Sequence, residues 1–236
     1  MTETESKKAG TLYLVPTPIG NLGDITSRAL EIIKAVELIA CEDTRVTGKL
    51  LSLYGIKKRM LSYHNFNEQA RLPQLLSVLT AGGDVAIISD AGSPGLSDPA
   101  YRIIRAAIDN GIKISPLPGA NSVIPALTAS GLPLDRFFFE GFLPQKSAAR
   151  KNRLAKLREL DHTLIFFESP FRIEKTVADL LEVLGDRPAC LAREISKMYE
   201  EFIRGKLSEI LAQVSQRRLK GEFVIVVAGH LRKELS

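Results

Sequence analysis

The sequence has only two cysteines, no apolar run of membrane-spanning length and no low-complexity tract. Cys41 and Cys190 lie far apart and fit no paired metal-ligand spacing, so we expect neither a disulfide framework nor structural zinc, only buried thiols. The longest apolar runs, such as FVIVVAG, are strand-sized, whereas a transmembrane helix needs about 20 apolar residues. The first ten residues, MTETESKKAG, lack the apolar core of a signal peptide, which predicts a frayed tail and a cytoplasmic protein.

Three common motifs are also missing. There is no GxxxxGK[ST] phosphate-binding loop and no GxSxG, and the serines have no histidine partner at a recognisable spacing. The loop PTPIGN follows the first predicted strand but fails the GxGxxG rule, with prolines at 16 and 18 where a dinucleotide-binding loop has glycines. P-loop enzymes, serine hydrolases and standard nicotinamide or flavin enzymes are therefore disfavoured.

The overall composition is that of an ordinary globular protein. The chain has 236 residues, of which 45% are hydrophobic and 25% charged, enough for one large or two modest domains. The net charge of +5 suits a polyanionic partner such as nucleic acid, and it suits many enzymes of small molecules equally well.

In the first half, strand-like runs alternate with helical patterns. The runs are TLYLV, ELIAC, RMLSY, DVAIIS and IKISPL. Helices are predicted from about Ile25 to Val36 behind Asp24 as N-cap, from 68 to 80, and from Pro99 to Asn110 behind Asp98. This alternation predicts an α/β fold with a mostly parallel sheet covered on both faces.

The segment PLPGANS, residues 116–122, is rich in proline and predicts a domain boundary. We expect a tail over residues 1–10, an N-terminal α/β domain over 11–117 and a C-terminal α/β domain over 118–236. The second half has five strand candidates with few helices among them, and adjacent strands near 189–204 imply a hairpin. Its sheet is therefore predicted to be mixed.

Unusual motifs follow every predicted strand of the first half. They are PTPIGN, CEDTR, YHNFNE, SDAGSPGLSDP and PGANS, whereas the turns at the other strand ends, such as TAGGD, are ordinary. Ligands of open parallel sheets bind beyond the carboxyl ends of the strands. The asymmetry predicts a functional site at that edge.

Each of these motifs also has a plain structural explanation. The glycines Gly92 and Gly95 let a ligand approach the main chain, or they form a long turn. Glu42, Asp43 and Arg45 can bind a polar substrate, or they can pair with one another and cap a helix. His64 is either a base or a hydrogen-bonding loop residue.

A basic segment, residues 146–160, predicts a helix that could lie along a phosphate backbone. Leu154, Leu157 and Leu160 form an apolar stripe on it, so an ordinary solvated amphipathic helix is the alternative. The phenylalanines of RFFFEGF favour a place in the core over a base-stacking role. The candidate RNA contacts are Lys146, Arg150, Lys151 and Arg153.

Six motifs, in order, resemble one known family. LYLVPTPIGNLGDIT, CEDTR, SDAGSPGLSDP, PLPGANS, FFESPFRI and GEFVIVVAG are similar to the bacterial ribosomal RNA methyltransferases of the tetrapyrrole methylase superfamily, over residues 11–229. The resemblance implies two α/β domains with S-adenosylmethionine in the cleft between them, a homodimer, and methylation of a cytidine 2′-hydroxyl in the decoding region of 16S ribosomal RNA. It also implies that longer relatives carry a further C-terminal segment, which leaves the role of that segment in RNA docking open here.

Carried over position by position, the resemblance implies a set of cofactor-binding residues. They are Pro18, Ile19, Gly92, Ser93, Pro94, Gly95, Ala120, Asn121, Ser122, Phe167, Glu168, Gly221 and Glu222. No metal is expected, because methyl transfer from a sulfonium needs mainly positioning. The candidates for activating the hydroxyl or holding phosphates are Glu42, Asp43, Arg45 and Lys197, with Arg172 as a further RNA contact.

Two other functions remain open at this stage. One is a methyltransferase acting on a small tetrapyrrole-like acceptor, which the basic segment and the first-loop prolines disfavour. The other is a ribosome-assembly protein that binds RNA without transferring a methyl group.

Overall fold

The computed structural model of the chain describes residues 8–97, 99–217 and 219–230. The chain divides into two compact units, residues 1–121 and 122–236. Within the described ranges, no helix is long and apolar enough to cross a bilayer.

The first unit is built on a five-stranded sheet. Its strands are β1 (Thr11–Val15), β2 (Leu38–Cys41), β3 (Met60–Ser62), β4 (Val85–Ile88) and β5 (Lys113–Pro116). Their order is β3-β2-β4-β1-β5, and every pair is parallel. The predicted parallel sheet is confirmed.

Four helices connect these strands. They are α1 (Ser27–Ala35), α2 (Thr44–Leu53), α3 (Glu68–Thr80) and α4 (Tyr101–Asp109). Thr26, not Asp24, caps α1, because Asp24 ends a separate 3-10 turn that begins at Leu22. The start of α4 lies two residues beyond Pro99, behind Ala100, and the expected cap Asp98 is outside the described residues.

The strands β2 and β4 are buried at every position, as expected for a sheet that is covered on both faces. Leu38 and Ala40 pack into one apolar cluster with α3 and α4, whereas Ile39 and Cys41 pack into the other with α1 and α2. This period of two explains why each strand reads as a continuous apolar run.

The second unit has a mixed sheet. Its elements are α5 (Val123–Ser130), β6 (Phe137–Phe142), α6 (Ser147–Leu157), β7 (Thr163–Glu168), α7 (Ile173–Leu184), β8 (Pro188–Arg193), β9 (Glu201–Lys206), α8 (Leu207–Ser215) and β10 (Phe223–Val227). The strand order is β6-β7-β10-β8-β9; only β6 and β7 are parallel neighbours. The predicted mixed sheet and the β8–β9 hairpin are confirmed.

One large apolar cluster fills the second unit, where α6, α7 and α8 pack on the sheet. Phe138 contacts this cluster, whereas Phe137 and Phe142 on the same strand are exposed, so the predicted core role of RFFFEGF holds only in part. Cys41 and Cys190 are buried free thiols, as predicted, and burial raises the pKa of both.

Candidate functional site

In the first unit, the loops after β1 and β4 are tied together. The amide of Thr17 donates to the carbonyl of Gly92 at 3.0 Å, and the amide of Gly92 donates back at 2.9 Å. The Thr17 hydroxyl donates to the carbonyl of Ser89, and the Ser89 hydroxyl donates to that of Gly92 at 3.0 Å. Because these groups are buried and paired, both loops have a fixed backbone.

The loop after β5 packs against the other two. The Ser93 hydroxyl donates to the carbonyl of Ala120 at 3.1 Å. A Cβ on Gly119 would lie 2.8 Å from Cβ of Pro16, and one on Gly92, whose φ is +83°, would lie 3.4 Å from Ile19. These two positions therefore require glycine, for close approach and for left-handed backbone respectively.

The structure thus brings together the first-unit residues that the sequence singles out for a cofactor: Pro18 and Ile19, Gly92 to Gly95, and Ala120 with Asn121. Ser122 begins the second unit as the N-cap of α5. The segments 16–20, 91–95 and 117–121 contain no lysine or arginine. Segments without a cationic side chain fit a polar ligand without phosphates, such as S-adenosylmethionine.

Asp43 of the CEDTR motif caps α2 and pairs with Arg45. The Arg45 Nη2 lies 2.6 Å from Asp43 Oδ2, and the Asp43 carboxylate also accepts from the Arg45 amide at 2.8 Å. These hydrogen bonds hold the pKa of Asp43 well below its usual range. Asp43 is therefore a weak proton acceptor, whereas the exposed guanidinium of Arg45 still faces solvent.

Asp90 is a residue that the sequence analysis missed. It follows β4, and its Oδ1 accepts a hydrogen bond from the Asp43 amide at 3.1 Å. Burial raises the pKa of Asp90, and the negative charge of Asp43 adds to the rise although the amide hydrogen bond opposes it. Asp90 could have been found by the criterion that selected Glu42 and Asp43, since it is the first charged residue after a buried strand.

A cavity of about 240 Å³ opens beside Asp90, and all its walls belong to the first unit. It lies among the first loop, α2 and the end of β4. Its lining includes Pro18, Leu22, Val46, Thr47, Leu50 and Asp90. Glu42 lies in a separate, smaller pocket with Tyr63 and Pro94.

His64 acts as a hydrogen-bonding loop residue. Its amide donates to Asn67 Oδ1 at 2.8 Å, and its ring Nε2 lies 3.1 Å from Asn67 Nδ2. Of the two roles considered for His64, these contacts show the hydrogen-bonding loop residue.

In the second unit, the carboxyl ends of β6, β7 and β8 share an edge with the start of β10, since Phe223 pairs with both Glu168 and Arg193. The buried Glu168 carboxylate accepts from Thr176 at 2.6 Å, Ser169 at 2.8 Å and Arg172 at 2.9 Å. Glu168 therefore orders its own loop, and a ligand would meet its backbone rather than its carboxylate.

Arg172 and Phe167 are also held by contacts within this unit. Arg172 Nη2 donates to the Leu143 carbonyl at 2.8 Å as well as to Glu168, which restricts it as a phosphate ligand. The Phe167 ring packs edge-on against Phe139 and Phe142.

Lys197 lies in a second ionic network at this edge. Its Nζ is 2.9 Å from Glu194 Oε1 and 2.9 Å from Glu222 Oε2. Burial lowers the pKa of Lys197, but the hydrogen bonds to these two carboxylates outweigh burial and leave the pKa raised. Lys197 is therefore a cation at neutral pH and not a proton acceptor.

The backbone around Lys197 is unusual. Glu194 and Ser196 have φ values of 49° and 69°, in the left-handed region that residues with a side chain rarely adopt. A Cβ on Gly221 would lie 2.4 Å from the Glu194 carboxyl carbon, so Gly221 must be glycine for Glu194 to keep its place. Such strain concentrates at functional sites.

Most of the candidate RNA contacts in the basic segment, residues 146–160, are paired with acidic side chains. Arg150 does not belong to an exposed strip, because its side chain is 3% exposed and pairs with Asp179 at 2.6 Å. Lys151 lies 2.6 Å from Glu182, and Arg153 lies 2.6 Å from Glu140. Lys146 is exposed and, among the described residues, forms no ion pair.

Comparisons with known proteins agree with one another. The profile of the family described as "Tetrapyrrole (Corrin/Porphyrin) Methylases" matches residues 11–211. The chain is 50% identical to "Ribosomal RNA small subunit methyltransferase I" of Micromonospora olivasterospora, over 96% of this chain and 73% of that protein. Proteins of the same name from Escherichia coli O157:H7 and Bacillus subtilis are 46% and 43% identical, covering 98% and 96% of this chain and 82% and 78% of theirs.

Two solved structures share the fold. A cobalt-precorrin-4 methyltransferase of cobalamin biosynthesis aligns with a TM-score of 0.68 at 16% identity, over 92% of this chain and 94% of that one. The uroporphyrin-III-C-methyltransferase of Thermus thermophilus aligns with a TM-score of 0.61 at 21% identity, over 93% and 92%. At these identities the likeness concerns the fold.

Proposed function

Since the chain belongs to the tetrapyrrole methylase family and to its ribosomal RNA small subunit methyltransferase I group, we propose that it is an S-adenosylmethionine-dependent ribosomal RNA methyltransferase. The acceptor in this proposal is the ribose 2′-hydroxyl of a cytidine in the decoding region of 16S RNA. We place the reaction in the cytoplasm, on the small ribosomal subunit, with the enzyme acting as a homodimer.

One observation carries the proposal. Identity of 43–50% extends over nearly the whole chain in relatives that are all named for ribosomal RNA methylation. The two tetrapyrrole-related enzymes share the fold at only 16% and 21% identity, so they do not favour a tetrapyrrole acceptor.

The cofactor assignment is supported by the three interlocked loops of the first unit. In the proposal, Pro18, Ile19, Gly92 to Gly95 and Ala120 to Ser122 hold S-adenosylmethionine, and the second unit adds Phe167, Glu168, Gly221 and Glu222. When bound, the cofactor supplies an electrophilic methyl group on a sulfonium. The first-loop prolines fix the backbone that faces it.

The residues of this chain must then orient the ribose and accept its proton. A neutral ribose hydroxyl is a poor nucleophile, and a positioned base contributes typically 10²- to 10⁴-fold. Asp43 is a weak base because Arg45 stabilises its charged form, and Lys197 retains its proton. We assign Arg45 and Lys197 to electrostatic stabilisation of phosphates or of the developing alkoxide.

The test is incubation of the protein with S-adenosylmethionine labelled in the methyl group and either small subunits or naked 16S RNA. Alkali cleaves RNA through the 2′-hydroxyl, so a 2′-O-methyl group protects the adjacent phosphodiester. The proposal predicts label in alkali-resistant dinucleotides. Label found only in mononucleotides would place the methyl group elsewhere, and RNA binding without transfer would favour an assembly protein.

A further inference from the structure

The cavity beside Asp90 has the size of a part of a nucleotide. Its volume is about 240 Å³, below the roughly 300–1,000 Å³ of pockets that enclose whole drug-sized ligands. Pro18, assigned above to the cofactor loop, forms part of its wall. The cavity therefore adjoins the proposed cofactor loops without being large enough to hold the complete cofactor.

The walls of the cavity are apolar and reach the surface. Leu22, Val46 and Leu53 are large hydrophobic side chains that are exposed here, and Leu50 adds to the lining. Exposed apolar side chains that are grouped around a cavity are typical of a ligand-binding site. Apolar walls suit the face of a nucleobase, as in enzymes that act on an extruded nucleotide.

Thr47 is a buried residue among those that line the cavity. The residue is 2% exposed, and its Oγ1 has no partner at hydrogen-bond distance within the described part of the chain. The Thr47 hydroxyl is close enough to the Cys41 thiol to lower the pKa of that thiol against the larger, opposite effect of burial, but a thiol is only a weak hydrogen-bond partner. Because this oxygen has almost no accessible surface, the Thr47 hydroxyl belongs to the interior beneath the cavity and not to the surface that an occupant would meet.

Asp90 supplies the carboxylate of the cavity. Its Oδ1 accepts the Asp43 amide, whereas Oδ2 accepts no hydrogen bond from the described residues. The raised pKa of Asp90 makes it a better proton acceptor than Asp43, although both follow buried strands at the same sheet edge. Oδ2 of Asp90 is therefore available to accept a hydrogen bond or a proton from a molecule in the cavity.

We infer that this cavity receives the target nucleoside and that Asp90 is the catalytic base for its 2′-hydroxyl. This inference rests on the proposed function. The proton passes from the 2′-oxygen to Asp90 as the new oxygen–methyl bond forms. The donor's carbon–sulfur bond breaks, and its electron pair stays on sulfur.

Occupancy of the cavity is tested by NMR of methyl-labelled protein, with cytidine and S-adenosylhomocysteine as separate probes. We expect cytidine to shift the methyl signals of Leu22, Val46 and Leu50, which line the cavity. We expect S-adenosylhomocysteine to shift the methyl signals of Ile19 and to leave those of the cavity unchanged. If S-adenosylhomocysteine alone moves the cavity methyls, or if millimolar cytidine leaves them unmoved, the inference is overturned.

The role of Asp90 is tested with Asp90→Asn, which keeps an oxygen for the Asp43 amide. We expect a loss of at least about 100-fold in single-turnover methyl transfer with unchanged binding of S-adenosylhomocysteine. Asp109→Asn, on the exposed face of α4, is the matched control and should retain full activity. Wild-type activity in a folded Asp90→Asn variant would refute the role of Asp90 as the base. An alkali-labile product from the wild-type protein would refute the proposed function.

Discussion

Replacing Arg150 by alanine should destabilise the second unit rather than weaken RNA binding directly. The Arg150 guanidinium donates to Asp179 through Nε at 2.7 Å and Nη2 at 2.6 Å, and both side chains are nearly buried. Removing one partner of a buried pair costs about 3–5 kcal/mol, because the other charge remains buried. Ser147 and Lys151 still contact Asp179, so we expect a loss near the lower end, about 3 kcal/mol.

The assay is hydrogen exchange of α6 and α7 amides, which reports the opening free energy of that region. Arg158→Ala, an exposed arginine next to the same helix, is the control and should cost less than about 0.5 kcal/mol. The double variant Arg150→Met with Asp179→Leu should recover most of the stability and bind 16S RNA as the wild type does. A loss below about 1 kcal/mol for Arg150→Ala, or an RNA-binding defect in a stable double variant, would refute this account.

Three further changes test other parts of the site. Gly221→Ala should displace Glu194 and cost at least about 1–2 kcal/mol, since the backbone φ is +100° and the new Cβ would overlap that carboxylate; chemical denaturation measures it. Gly119→Ala should weaken binding of S-adenosylhomocysteine in calorimetry, because its Cβ would press on Pro16. Asp90→Asn should raise thermal stability at pH 7 and not at pH 3: the raised pKa of Asp90 makes its charged form a penalty above the ordinary carboxyl range.

Much of the fold follows from sequence pattern. β1 and α3 coincide with their predicted ranges, because apolar period and turn residues mark both ends of each. The start of α1 differs from the prediction because two candidate caps lie two residues apart, and Thr26 rather than Asp24 makes the cap hydrogen bond. The start of α4 differs because Ala100, with a φ of −132°, is not helical, so the helix begins only at Tyr101.

The candidate site is less predictable than the fold. Sequence order indicates which loops meet at the sheet edge, but not that Thr17 pairs with Gly92 or that Glu194 adopts a left-handed backbone. The basic segment shows the same limit, since the acids that neutralise Arg150 and Arg153 are far from them in sequence. Partners across a fold are set by packing, which one-dimensional spacing does not encode.

The most direct test of the central claim is mass spectrometry of nucleosides from 16S RNA treated with the protein and S-adenosylmethionine. We expect a methylated cytidine whose base fragment has the mass of unmodified cytosine, which would place the methyl group on the ribose. A methyl group retained on the base fragment would contradict it.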